Sequence, residues 1–177
     1  YYSPDELNGN NCPVHEKPGE LLKEESYFFK MSKYQKKLIE FLEKKPEYLL
    51  PKEKRNEILE RLKIPLHDLS ISRASFDWGI RMPSDKKHIF FVWVDALTNY
   101  LTTVGFPQKK FEEFWPADMH LVGKDIVWHH TVIWWSLLMS AGMPLPKVFS
   151  HGFINLASGK MSKSKGNVVD PVALSEK

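Results

Sequence analysis

An α/β fold, half of a doubly wound parallel sheet joined to a helical insertion, is what this sequence predicts on three observations. From residue 88 onward, apolar runs of strand length alternate with segments of helical period. The polar, glycine-marked segments sit after those runs, at the carboxyl ends of strands where such sheets bind ligands. Lys160-Met161-Ser162-Lys163-Ser164-Lys165-Gly166-Asn167 then follows Gly159 and precedes Asp170-Pro171, an N-cap and a first helical residue. That loop between strand and helix carries three lysines and two serines. It reads either as a cationic flap over a polyphosphate or as a solvated basic loop.

Residues 1–20 are rich in Pro, Asn and Gly and predict loop. Within them Cys12 and His15 stand at the two-residue gap of a zinc half-site, against the plainer reading of a free thiol in a loop. Residues 32–44 predict an amphipathic helix, with Ser32 and Gln35 as a capping box and Leu38, Phe41 and Leu42 on one face. A second helix is expected over 52–63, with Pro51 near its start and Ile58, Leu59 and Leu62 buried. Residues 89–94, Ile-Phe-Phe-Val-Trp-Val, predict a strand covered on both faces of a parallel sheet, followed by a helix over 95–104. A strand at 119–122, a long apolar helix over 125–141 closed by Gly142, and a strand at 148–156 complete the rhythm. Trp134 and Trp135 are assigned to packing. There is no internal repeat and no low-complexity segment.

The 177 residues suffice for one domain, or for half of a fold plus an insertion. Aromatic residues make up 13%, six of them Trp and eleven Phe, which excludes a disordered tail. A net charge of +3 is mild, so any nucleic-acid contact has to be local. One cysteine excludes an internal disulfide, and no secretory leader or bilayer-length apolar run is visible. A cytoplasmic protein is expected, with the mitochondrial matrix as the alternative and no membrane partner.

The motifs K-M-S-K-S and G-N-V-V-D-P resemble the second signature of class I aminoacyl-tRNA synthetases. Ser72-Arg73 with Trp78-Gly79-Ile80, then residues 91–100, then Gly123-Lys124-Asp125-Ile126 with His130, are similar in order and spacing to methionyl-tRNA synthetases. Glu24-Glu25-Ser26-Tyr27-Phe28-Phe29 resembles that family's connective insertion. The family's first signature, of H-I-G-H type, has no counterpart, and an internal piece of a longer enzyme is expected, inactive by itself.

The resemblance implies the second half of a Rossmann-like nucleotide-binding fold with part of a helical connective insertion. Its layout would be a zinc-knuckle-like remnant at 1–20, helical insertion at 21–86, the carboxyl half of the Rossmann-like domain at 87–157, and the signature loop at 158–177. It implies methionine activation with ATP and Mg²⁺ and transfer to tRNA(Met), with Zn²⁺ in the intact protein if a C-x-x-C joins Cys12 and His15. Lys160, Lys163 and Arg73 would be the catalytic cations, although Arg73 alone also fits a surface ion pair. Gly123, Asp125, His151, Gly152 and Ile154 would join the lysines around ATP, with Asp125 on the ribose or simply capping a helix. Trp93, Ala96, Leu97, Tyr100, Ile126 and His130 would line the methionine pocket, where a thioether is selected by shape and sulfur-aromatic contact. His129 stands where the family often carries Phe, and Trp128 is also unusual. The lysine-rich helix faces are solvated or touch tRNA. Two other readings compete: a non-catalytic nucleotide- or tRNA-binding module, and a class I synthetase for Leu, Ile, Val or Cys.

Overall fold

The computed structural model describes residues 7, 9–12, 17–19, 24–156, 159–161 and 166–176, with main chain alone at 159 and 160. In chain order it forms β1 (Phe28–Phe29), a 3-10 turn (Met31–Tyr34), α1 (Gln35–Lys44), β2 (Leu49–Leu50), α2 (Lys52–Arg61), β3 (Leu69–Ser70), β4 (Ser72–Arg73) and β5 (Ile89–Phe90). There follow α3 (Val92–Thr103), α4 (Phe111–Phe114), β6 (His120–Gly123), a π-helical turn (His129–Ile133), α5 (Trp134–Ser140), β7 (Val148–His151), β8 (Asn155–Leu156), β9 (Gly159–Lys160) and α6 (Pro171–Ser175).

The main sheet is parallel and three-stranded in the order β2-β7-β6. β6 and β7 are joined through the helical stretch 127–140, a βαβ unit that ends both strands on the same edge, Gly123 beside His151. Alternation along these strands buries His120, Val122, Val148 and Ser150 and leaves Leu121 and Phe149 exposed on the other face. One continuous cluster underlies this layer: Leu38, Leu42, Ile58 and Leu62 from the first two helices and their ends, with Leu49 of β2, pack with Leu97, Leu101, Val122, Trp134, Trp135 and Val148. Trp134 and Trp135 are buried, as their assignment to packing requires.

Several local expectations need correction. Residues 89–94 do not form a strand of the parallel sheet. Ile89–Phe90 pairs antiparallel with Ser72–Arg73, and the chain turns helical at Val92, three residues before the expected start. The apolar run arose because α3 is half covered on several sides, so its first turn looks continuous rather than periodic. Ser32 and Gln35 do not form a capping box. The Ser32 hydroxyl donates to Asp68 Oδ1 at 2.6 Å, and the Gln35 amide donates to the carbonyls of Leu62 and Ile64, at the end of α2. The strand expected over 148–156 stops at His151, and Asn155–Leu156 instead pairs antiparallel with Gly159–Lys160. The long helix is widened by the π turn, and Gly142, at φ +67°, closes it as expected. Asp170 caps α6 by accepting from the Val172 N–H at 2.8 Å.

A second, antiparallel layer lies beside the parallel sheet. β1 pairs with β3 and β4 with β5, while Ile71 donates to the Tyr27 carbonyl and accepts from the Phe91 N–H, tying the two pairs together. Residues 80–82 add an outer rung through Phe90 N–H to Ile80 and Met82 N–H to His88. This layer delivers Phe91, the N-cap of α3.

Candidate nucleotide and amino-acid site

Four of the residues expected around ATP converge where the parallel strands end. Gly123 pairs with His151 in register, and the Lys124 N–H donates to the His151 carbonyl at 2.9 Å. A Cβ on Gly123 would lie 2.8 Å from Asp125 Oδ1, so the missing side chain makes room for that carboxylate. Gly152 follows in open space, and the His151 Nδ1–H donates to its carbonyl at 2.7 Å. The result is an exposed edge carrying main-chain groups, an acidic side chain and an imidazole. Ile154 is exposed beyond it, with its carbonyl accepting from the Met161 N–H at 3.0 Å. The Lys160 main chain lies opposite Asn155, whereas Lys163 and His15 lie outside the described residues.

Of the residues expected around methionine, Leu97 and His130 are buried, Trp93, Tyr100 and Ile126 half-buried, and Ala96 exposed. Trp93, Ala96, Leu97 and Tyr100 stand at the i, i+3, i+4, i+7 spacing of one helical stripe on α3. The π turn faces them. His130 is buried, and its Nδ1 lies 2.9 Å from the Ile126 carbonyl, which can only accept. Nδ1 therefore carries the proton, Nε2 accepts, and the Tyr100 hydroxyl donates to it at 2.9 Å. Burial holds His130 below the ordinary imidazole value, opposed by the Ile126 hydrogen bond, and burial raises Tyr100. At neutral pH the pair is uncharged, as suits a weakly polar ligand.

Two further histidines complete this wall: His129, read from the sequence as standing where the family often carries Phe, and His120, which sequence reasoning did not place there. His129 stacks on Trp93 with centroids 3.7 Å apart and planes 23° apart, and His120 lies 4.1 Å from the Tyr100 ring. Burial, then the neighbouring His130, lower both, His120 to about 4. The inward phase of 120 and 122 on β6 was the available signal for His120. Trp128 takes the Arg61 guanidinium at 4.0 Å from its ring.

Arg73 is set apart from the strand ends, on the antiparallel layer. Its Nη1 donates to Ser70 Oγ and to the Ser72 carbonyl, both at 2.7 Å, and its guanidinium lies 4.5 Å from the Phe91 ring. Glu24, pushed up by burial but held below the usual carboxylate value by the Ala74 and Ser75 amides, adds a negative charge beside it. Cys12 lies on a reversal of the chain in which its N–H donates to the Lys17 carbonyl. Among the described residues no three His, Cys, Asp or Glu side chains gather as a metal site, and no helix is long and apolar enough to cross a membrane.

A βαβ unit with polar groups gathered at its strand ends is the architecture of a Rossmann-like fold. The family model for tRNA synthetases class I (M) matches residues 1–177. Methionine--tRNA ligase of Caldanaerobacter subterraneus subsp. tengcongensis is 49% identical over 98% of this chain, and that of Clostridium tetani 51% over 98%; each match spans 28% of the relative. The crystal structure of Mycobacterium tuberculosis methionyl-tRNA synthetase bound by methionyl-adenylate superposes with a TM-score of 0.81 at 46% identity, covering 96% of this chain and 34% of that one. The chain belongs to the class I tRNA synthetases of this group. It spans a little over a quarter of the length of those curated relatives.

Proposed function

We propose that these residues belong to a longer enzyme that activates methionine with ATP and transfers it to tRNA(Met). In the first step a methionine carboxylate oxygen attacks the α-phosphorus; the new P–O bond forms as the bond to the β-phosphate oxygen breaks, and pyrophosphate leaves with that electron pair. In the second, a terminal ribose hydroxyl of the tRNA takes the methionyl group and AMP departs. The observation that carries the reading is that Ile126 links the strand end to the neutral Tyr100–His130 pair: its N–H donates to the Gly123 carbonyl at 3.1 Å and its own carbonyl accepts from His130 Nδ1 at 2.9 Å. It supports a reading in which a nucleotide edge neighbours a site for an uncharged side chain.

In this reading Asp125 holds the ribose, and the main chain at His151, Gly152 and Ile154 runs along the adenine. Trp93, Ala96, Leu97 and Ile126 enclose the thioether. Lys160, Lys163 and Arg73 meet the phosphates, whose charge grows as pyrophosphate leaves. Mg²⁺ accompanying ATP would offset part of the phosphate charge beside these cations. Cys12 and His15 supply two zinc ligands, fewer than a structural site needs, so no step is assigned to zinc.

Methionine-dependent exchange of pyrophosphate into ATP by the full-length enzyme tests the reading. Lys163→Ala is expected to raise the barrier by about 3 kcal/mol, the scale of other preorganised charge contacts. Undiminished exchange removes the loop from the mechanism. Exchange with Leu, Ile, Val or Cys in place of methionine overturns the substrate assignment.

A further inference from the structure

Ser72 and His88 are among the most deeply buried polar residues of the molecule, at 0% and 1% exposure, and the chemistry above uses neither. They touch: Ser72 Oγ and His88 Nδ1 are 3.0 Å apart. His88 Nε2 faces the acceptor-only carboxylate of Asp85, at 3.8 Å, so the imidazole turns its protonated nitrogen that way and accepts the Ser72 proton at Nδ1. Ser72 Oγ in turn accepts from the Tyr27 N–H at 2.9 Å. The Tyr27 ring closes edge-on over His88, and its hydroxyl donates to Asp85.

The network leads to one cation. Ser26 Oγ donates to the Ser72 carbonyl at 3.1 Å and lies 2.5 Å from Ser70 Oγ. Ser70 Oγ and the Ser72 carbonyl are the two oxygens that receive Arg73 Nη1. These two Nη1 contacts tie the direction of the guanidinium to residues 70–72, where β3 passes into β4. Ser72 and His88 fix the registration across β4 and β5, where Ser72 lies opposite Phe90. Phe91, whose ring the guanidinium covers, is bound to the same rung.

We propose that the buried Ser72–His88 pair is a positioning device that aims Arg73 at the phosphates during adenylate formation. This rests on the reading of Arg73 as a phosphate-facing cation. Misplacement of such a group by about 1 Å costs on the order of 100-fold in rate.

The test is a mutant cycle in the full-length enzyme, read by pyrophosphate exchange with whichever amino acid it accepts. Arg73→Ala identifies the constant, kcat or KM for ATP, in which Arg73 acts. Ser72→Ala and His88→Phe are expected to reduce that same constant, by roughly 10- to 100-fold. His88→Asn, whose amide reaches the Nδ1 position, is expected to restore most of the loss. In the Arg73→Ala background, Ser72→Ala and His88→Phe are expected to add almost nothing, since their effect passes through the missing side chain. Equal fold losses in both backgrounds mean a general loss of folding and overturn the proposal, as do wild-type constants for Ser72→Ala and His88→Phe. Should His88→Phe not fold, the smaller change Ser72→Ala decides by the same criterion. Wild-type exchange by Arg73→Ala shows that Arg73 does not act, and the proposal falls; exchange with an amino acid other than methionine overturns the substrate reading and leaves the cycle to decide.

Discussion

Gly123 shows how one missing side chain serves the site. Its backbone needs no unusual φ, so a methyl there would strain nothing by conformation; it would meet Asp125 Oδ1 at 2.8 Å. The carboxylate terminates a rotatable side chain and can swing away. Gly123→Ala is therefore expected to change stability by less than about 1 kcal/mol while raising KM for ATP, because Asp125 leaves the position proposed for ribose contact. Thermal melts and exchange kinetics separate the two effects, and an unchanged KM refutes the role given to Asp125. Tyr100 argues in the opposite direction. Its hydroxyl supplies the proton that buried His130 Nε2 accepts, so Tyr100→Phe orphans that nitrogen and costs roughly 1–3 kcal/mol of stability. Equal unfolding free energies for Tyr100→Phe and the parent would show that water takes the hydroxyl's place. Both residues were visible in the sequence as motif members, but neither the Asp125 contact nor the direction of the proton could be read without coordinates.

Secondary-structure elements were legible wherever one face met one environment. α1 and α2 announced themselves by buried Leu38, Leu42, Ile58 and Leu62 at helical spacing, and the structure keeps those faces. The reading failed where neighbours surround an element unevenly. In α3, Val92 is exposed, Trp93 and Val94 half-buried and Leu97 buried, so β-branched and aromatic residues at its start mimicked a strand. It failed again at Ser32 and Gln35, where capping types at capping spacing are spent on tertiary ties. Gln35 Nε2 donates to the carbonyls of Leu62 and Ile64, and its Oε1 accepts from the Leu66 N–H at 2.9 Å. One side chain thus satisfies the end of α2 from the start of α1. Gln35→Ala is expected to cost about 1–3 kcal/mol, since three main-chain groups lose their partner. Gln35→Glu should recover only part of this, because a carboxylate accepts but cannot donate to the two carbonyls. Chemical denaturation of the three proteins checks the order, and a Gln35→Glu protein as stable as the parent would contradict it.

Across the whole molecule, what sequence could not reveal is which distant segments share a core. Leu49–Leu50 joins the parallel sheet beside Val148, and no local period in two residues foretells that pairing. The same layering gathers His120 from β6, His129 and His130 from the π turn, and Tyr100 and Trp93 from α3 into one aromatic wall. Burial is the leading cause that lowers all three imidazoles, His120 from 6.5 to about 4. A base whose folded value lies below its unfolded value binds fewer protons in the native state throughout the interval between them. Stability contributed by this wall is therefore complete at neutral pH and is lost as pH falls from about 6.5 toward 4. His120 is the best probe, because its Nδ1 has no hydrogen-bond partner among the described residues and an apolar ring can keep its contacts with Tyr100 and Trp115. His120→Phe is expected to melt near the parent's temperature at neutral pH and to lose less on acidification, removing one proton-binding site from the unfolded chain. Melting temperatures of both proteins, followed from neutral pH down to about 4, measure this as a difference in slope. Parallel slopes would mean that the acid loss comes from elsewhere: from Asp68 and Asp85, whose hydrogen bonds hold them below the usual carboxylate value, or from the two remaining histidines.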